Sequence, residues 1–570
     1  MFKITNGLVK YVLFGVFFLA VSTLISIGFV STSYVGMNEK IFFLATGRRM
    51  VCGLVVSVLF FLLLSKVGAV RRFVRLLENN DRFYRFFYLG SLICLVINLT
   101  IWIIYTDYKP FADSLYVHQY AEQYLAGDYT SFQPGNYMEM YSHQSRLMLV
   151  WASIDAVFGG FDNRLYCIIN GISLVMLFVA LTDILKTAGA SRLSRAFTMF
   201  TGAFWLPGLF YTSFLYGNLL GLSLAMFAIA LWVRFFSKPT GSRLWMGLAG
   251  GLLAAFAFMF KALFIIHFVA MMIYAILELL KTRRLKLLIP MVFAIMCLYT
   301  SVVYPQKVIE AKTGIKLDNG VPSVAFVAMG FQEGPYAPGW YNGWNYNKYY
   351  ESKFNKAVES KVSVESIKKS IANFVENPKY AVIFFEKKVA AMWNEPTFES
   401  VFNLKGNDNA YGKIVKWLTS YDGYRTMVPI WKFFQIFVWV GSLIYVNRLL
   451  KEKNTVKLIL PMIFVGGFVF HLFWEAKGQY AFLYFVCLIP VGIEGWAEYY
   501  LSSPGKVPTK EKEKHIVTFF RSKRNVVRTI CFLLAGIVFT ATFFKSAYKT
   551  EITKDNVDYQ NYLYEVELMG

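Results

Sequence analysis

Apolar residues in this chain gather into runs separated by short basic turns or by longer polar, aromatic stretches. The runs are roughly 17–21 residues long, the length of helix that crosses a bilayer core of about 30 Å. Thirteen can be traced, near residues 10–30, 50–66, 86–105, 164–184, 197–213, 216–236, 244–260, 262–280, 286–304, 428–446, 457–473, 479–497 and 527–545. Within hydrocarbon every backbone N–H and C=O needs a partner from the chain itself, so runs of this length predict helices. The expected fold class is an all-α polytopic membrane protein with about thirteen transmembrane helices.

The polar residues between the runs are unequally shared. With a cytoplasmic N-terminus, alternation puts the basic clusters around Lys66–Arg85, Lys186–Arg195, Arg234–Arg243, Lys281–Lys286 and Arg448–Lys457 on one side, together with the Lys506–Arg528 stretch. Short cytoplasmic loops are expected to carry this excess of Lys and Arg. Two long polar segments then face outward. The expected organisation is spans over 1–105, a first outer loop over 106–163, spans over 164–304, an outer domain over 305–427, spans over 428–545 and an outer tail over 546–570. The apolar stretch 147–158 is short for a crossing and reads as re-entrant, and the first run, which lacks a small-residue cleavage site, reads as an uncleaved span.

Composition agrees: of 570 residues 56% are hydrophobic and 16% charged, well below the charged share of a soluble domain. The formal charge of +23 raises nucleic acid as a partner. The basic residues sit in the short loops, so the partner they indicate is the membrane and no nucleic acid is expected. All six cysteines lie in apolar runs without a C-x-x-C pair, which speaks against disulfides and structural zinc. Neither a G-x-G-x-x-G nor a P-loop pattern occurs, and the long cytoplasmic stretch is a lysine-rich linker.

Candidate chemistry lies at the outer ends of the runs. Asp113, just after Pro110, reads as the N-cap of a helix that Gly127 closes, with Tyr116, Tyr120 and Tyr124 on one face. A carboxylate there suits a general base; it also suits a simple cap beneath an interfacial aromatic belt. His143 and Arg146 stand where the chain returns to the membrane, a depth suited to a phosphate headgroup or to plain snorkelling of the arginine. Lys261 lies between two runs with almost no loop, while Glu475, Lys477 and Tyr480 crowd another outer turn. Charges at such depth are costly unless paired or facing a functional cavity, and Glu475 and Lys477 are natural partners. His267, in mid-run, reads as a packing residue. In the large outer segment Trp340, Asn342, Trp393 and Glu395 stand among Gly and Pro. They suit sugar recognition by ring stacking and hydrogen bonding, or a loop packed on the membrane surface.

Asp113, Gly127-Asp-Tyr129, Tyr141-Ser-His-Gln144, Tyr216-Gly-Asn218, Gly339-Trp-Tyr-Asn342, Trp393-Asn-Glu-Pro396 and Glu475-x-Lys-x-Gln-Tyr480 together resemble the GT-C superfamily of membrane glycosyltransferases. That group includes protein O-mannosyltransferases, lipid A aminoarabinose transferases and polysaccharide-modifying enzymes of Gram-positive bacteria. The resemblance runs from about Tyr105 to Tyr480. Two departures leave the acceptor class open: Asp113 has no adjacent acidic partner, the nearest being Asp107, and Tyr-Ser-His-Gln replaces a Pro-containing version.

The resemblance implies a GT-C-like fold in the cell membrane and inverting transfer of a sugar from a polyprenyl-phosphate carrier to an extracytoplasmic glycan, lipid or protein. It implies Asp113 as catalytic base. His143, Arg146, Lys261, Glu475, Lys477 and Tyr480 would then attend the lipid phosphate, and Tyr116, Trp340, Asn342, Trp393 and Glu395 the sugar and acceptor. No cofactor is specified, and metal dependence is left open: a divalent metal would need Asp107, Asp113, Glu333, Glu395 and Glu475 to converge. Topology independently favours a lipid-borne donor, because the roomy side is outside, where nucleotide sugars are not supplied. The main rival is a flippase for a lipid-linked saccharide. Transporters commonly carry two related halves, and no internal repeat is visible here. A non-catalytic scaffold is a third reading.

Overall fold

The computed structural model describes residues 2–36, 39–106, 109–404, 413–446, 448–502 and 523–544. The expected outer tail and most of the lysine-rich linker fall outside them, as does Asp107. The described chain is all-α apart from one antiparallel hairpin, β1 (Ser31–Val35) with β2 (Ile41–Ala45), in register from Ser31↔Ala45 to Val35↔Ile41.

Among the described residues ten helices are long and apolar enough to cross a membrane, or eleven if Met50–Leu64 and Gly68–Asn79, bent by 66°, count as one span. The expected thirteen are not matched by these criteria, for two reasons. The run 197–213 is interrupted: helix Arg192–Phe204 stops where Trp205 turns extended, and Leu206–Phe210 restarts with Pro207 in its first turn. Proline lacks the N–H that would continue the ladder and its ring crowds the carbonyl one turn back. The run 527–545 falls in Lys523–Phe544, whose apolar part, Thr529–Thr542, is below span length. The stretch 147–158 belongs to the 14-residue helix Ser145–Phe158, about 21 Å long and too short to span.

The basic clusters gather at one end of the bundle. Arg192 bonds the Glu78 carbonyl and Asp81, Arg234 pairs with Asp183, Arg284 bonds the Pro239 carbonyl, and Arg448 pairs with Glu498. At the same end Lys457 meets Glu452 at 2.9 Å. A small cavity there is lined by Ile184, Tyr445, Lys457 and Glu494 among others.

The opposite end holds the turns that carry the candidate chemistry. Their placement depends on close helix packing, which in lipid relies on small residues rather than on a hydrophobic drive. A Cβ on Gly441 would stand 2.2 Å from the Gly492 carbonyl oxygen, and one on Gly495 would stand 1.9 Å from that of Gly441. Helices Tyr421–Val446 and Gly478–Ser502 therefore touch backbone to backbone. The second of these helices begins at Gly478, directly after Lys477.

Candidate functional site

Asp113 lies in the first turn of helix Ala112–Ala126 and is not its cap. Phe111 occupies that position, and the Ser114 hydroxyl donates to the Phe111 carbonyl at 2.7 Å while accepting from its N–H at 3.2 Å. Gly127 closes the helix in the left-handed conformation, φ 85°, as its sequence position implies. Because Ser114 performs the capping, the Asp113 carboxylate is left exposed, accepting a hydrogen bond from the Tyr137 hydroxyl at 3.1 Å.

Two lysines face this carboxylate from separate parts of the chain. The Lys261 ammonium donates to Asn218 Oδ1 at 2.9 Å and Gln479 Oε1 at 3.1 Å, and it sits between the rings of Tyr216 and Tyr480, 4.9 and 4.8 Å from their centroids. These neutral dipoles replace water without neutralising the charge. Lys477 does not pair with Glu475 as the sequence suggests. It binds both carboxylate oxygens of Glu39, at 3.0 and 3.1 Å, from the β1–β2 connection. The indole N–H of Trp340 donates to the same carboxylate at 3.1 Å. Glu475 instead accepts from the Tyr480 hydroxyl at 3.3 Å.

The electrostatics of the turn residues follow from burial and mutual field. Burial and the neighbouring Lys477 pull Lys261 down to about 7, against the pull of Asp113, Glu475 and Glu399. Burial opposes charge on Lys477 too, yet Glu39, Glu475, Glu399 and Asp113 hold it above the usual lysine range. Burial lifts Glu475 to about 7. Burial and Glu39 lift Glu399, which accepts from the Gly478 N–H, to about 8. Asp113, Lys261, Lys477, Glu475 and Tyr480 thus form one cluster of mutually interacting groups.

His143 and Arg146 border it. The His143 ring is exposed and leans edge-on against Tyr141 and Phe326, while Gln144 donates to the Tyr216 hydroxyl. Arg146 is buried, its guanidinium 4.5 Å from the centre of the Phe258 ring and its Nε 3.3 Å from the His143 carbonyl. No ion pair to Arg146 is found among the described residues, and burial draws it down to about 10.

Four expected sugar contacts are otherwise engaged. Trp340 is 0% exposed and Trp393 is 1% exposed, packed edge-on against Phe464, so neither offers a face for stacking. Asn342 spends its amide on Gln332 at 2.8 Å and on the Trp344 N–H at 3.0 Å, closing its own turn. Glu395 is buried, accepting from Thr397 and from the Glu399 N–H. Only Tyr116, 44% exposed, keeps an open ring. These residues build the walls because their polar atoms close loops locally. Asn394 likewise donates to Ser31, and buried Lys432 donates to the Asn394 carbonyl at 3.1 Å.

Sequence reading passed over Glu39 and Tyr137 as members of this cluster and met Gln479 only inside the Glu475–Tyr480 motif. Glu39 carries φ 60° in a hairpin that looks like a connection between spans. Its only local signal is a lone acid near a bilayer surface. Among the described residues no group of three or more His, Cys, Asp and Glu side chains is placed to hold a metal ion. The cavity at the basic end is a poorer candidate, since its Lys457 is already matched by Glu452 and Glu498.

No protein-family model matches the chain, and no curated protein matches it. Among solved structures it is similar to the archaeal oligosaccharyltransferase AglB from Archaeoglobus fulgidus in complex with an inhibitory peptide and a dolichol-phosphate. The identity is 11% and the TM-score 0.41, covering 84% of this chain and 56% of that one. The apo form of the A. fulgidus oligosaccharyltransferase gives 10%, 0.40 and the same coverage. The likeness thus spans little more than half of those longer chains, and at this score it carries no functional weight.

Proposed function

We propose that the chain is a GT-C-type membrane glycosyltransferase that moves a sugar from a polyprenyl-phosphate carrier to an acceptor on the extracytoplasmic side. The observation that carries this reading is the convergence of an exposed carboxylate, Asp113, with two lysines, half-buried Lys261 and buried Lys477, from turns far apart in sequence. The cluster lies at the bundle end away from the basic loops, the outer end if those loops are cytoplasmic.

In this reading Asp113 takes the proton of the acceptor hydroxyl as its oxygen bonds to C1 of the sugar. The C1–O bond to phosphate breaks, its electron pair stays on the phosphate oxygen, and the anomeric centre inverts through an oxocarbenium-like state. Lys261 and Lys477 stabilise the charge gathering on that oxygen, and Arg146 with His143 borders the path to the lipid. The two lysines differ in kind. Lys477 is held charged by carboxylates, whereas Lys261, held by neutral amides, gains most when an anion arrives.

The test is Asp113→Asn in proteoliposomes supplied with a synthetic polyprenyl-phosphate sugar, following release of polyprenyl phosphate. A general base contributes roughly 10²–10⁴-fold, so release falls by that factor. The exposed side chain keeps its Tyr137 contact, so thermal stability holds. Near-full activity of the variant refutes the assignment, and movement of the lipid between leaflets without its consumption indicates a flippase.

A further inference from the structure

The tyrosines beside Asp113 have no part in the chemistry above, yet they are ordered among themselves. Tyr116 and Tyr120 stack with ring centroids 6.2 Å apart and planes 21° from parallel. Tyr137 leans on both, at 5.5 and 5.4 Å. Gln119, next to Tyr116 around the same helix, is exposed, so this side of it meets water rather than lipid. Asp113, Tyr116 and Tyr120 stand at i, i+3 and i+7, on one face, in a row about 10 Å long at 1.5 Å per residue. The row is anchored at the reactive carboxylate by the Tyr137 hydroxyl, 3.1 Å from Asp113. Interfacial belt aromatics reach singly into headgroups; these rings stack on one another and end at a carboxylate.

We propose that this row is the acceptor track, and that the acceptor is a glycan chain of pyranose residues whose terminal hydroxyl reaches Asp113. The proposal rests on the glycosyltransferase reading of Asp113 and adds the acceptor class to it. A tyrosine offers a flat apolar face with a hydroxyl at its rim, which matches the C–H face and ring hydroxyls of a pyranose. A peptide acceptor held by backbone pairing needs an open strand edge. The hairpin is the only sheet among the described residues, and its strands are largely buried, Ser33 N–H donating to the Asn394 carbonyl and Ile41 N–H to that of Tyr336. A lipid tail needs an apolar groove, and the exposed polar side chains of Asp113 and Gln119 border this row.

The experiment uses the full-length protein in nanodiscs, with saturation-transfer NMR to maltohexaose, chitohexaose and a Ser/Thr-rich decapeptide. At least one hexasaccharide is expected to receive saturation. Its Kd should rise about tenfold in Tyr116→Ala/Tyr120→Ala, as loss of two stacking faces implies. It should stay within about twofold in Tyr116→Phe/Tyr120→Phe, which keeps the rings and shows that the fold is intact. Saturation of the peptide alone, of no glycan, or of glycan equally in the alanine variant overturns the proposal. Donor consumption is measured separately. Tyrosine-dependent glycan binding with no polyprenyl-phosphate sugar ever consumed removes the enzymatic reading and leaves the track; donor consumption without glycan binding does the reverse.

Discussion

Removing either partner of the Glu39–Lys477 pair tests whether the hairpin braces the Lys477–Tyr480 turn. The two groups are largely buried, with side chains 25% and 11% exposed and the shorter contact 3.0 Å. At an effective dielectric near 20, unit charges at that distance attract by about 5.5 kcal/mol. Desolvation of two mostly buried ions cancels more than half of this, leaving a coupling of about 2 kcal/mol, between the values for exposed and fully buried pairs. The singles should be unequal. Lys477→Met leaves Glu39 without its cation and Glu475, Glu399 and Asp113 with Lys261 alone, a loss of about 3 kcal/mol. Glu39→Gln leaves Lys477 three other carboxylates and still accepts from Trp340, so it costs about 1 kcal/mol, as a partly screened pair would. The double variant should recover part of the lysine loss. Unfolding of the detergent-solubilised protein by SDS, followed by tryptophan fluorescence, gives the four values of the cycle. A coupling below about 0.5 kcal/mol, or a glutamine variant worse than the methionine one, refutes the brace.

The remaining predictions concern pH and the tryptophans. Below pH 7 Lys261 is charged and Glu475 and Glu399 are largely neutral; through pH 7–8 the lysine loses its proton and both glutamates ionise. Affinity for the anionic donor should therefore fall at least tenfold from about pH 6 to 9, with proton uptake on binding seen by calorimetry in two buffers. Lys261→Met should flatten part of the profile, and a flat wild-type profile contradicts it. Stability of the ligand-free protein carries opposed signs. Lys261, with its folded pKa below the free 10.5, makes stability rise between about pH 7 and 10.5. Glu475, raised from 4.5 to about 7, makes it fall across that lower window. Trp340→Ala should cost about 3–5 kcal/mol and lower the yield of folded protein, while the donor KM of the surviving fraction moves little. A selective rise in KM at full stability would return Trp340 to the sugar site.

The lengths of the apolar runs determined, without any structure, that this is a multi-helix membrane chain, because hydrocarbon accepts backbone only as helix at that length. Asp113, Lys261, Glu475, Lys477 and Tyr480 stood out for a related reason: an ionisable group at the lip of an apolar run is expensive, and the expense marks it. Pattern could not say which of these charges meet. Glu39 reaches Lys477 across more than four hundred residues, while the nearer Glu475 takes the Tyr480 hydroxyl, and only the packing of separate helices chooses between the two. Trp340, Trp393 and Glu395 show the converse. Their residue types suit a sugar, but whether such groups stay open depends on the folded neighbours: here Glu39 takes the Trp340 N–H, Phe464 packs on Trp393, and Thr397 donates to Glu395. The broken run at 197–213 was decided jointly: Pro207 is plain in the sequence, but that the chain turns extended at Trp205 rather than bending smoothly is set by the neighbours, Phe482 stacked on its ring among them.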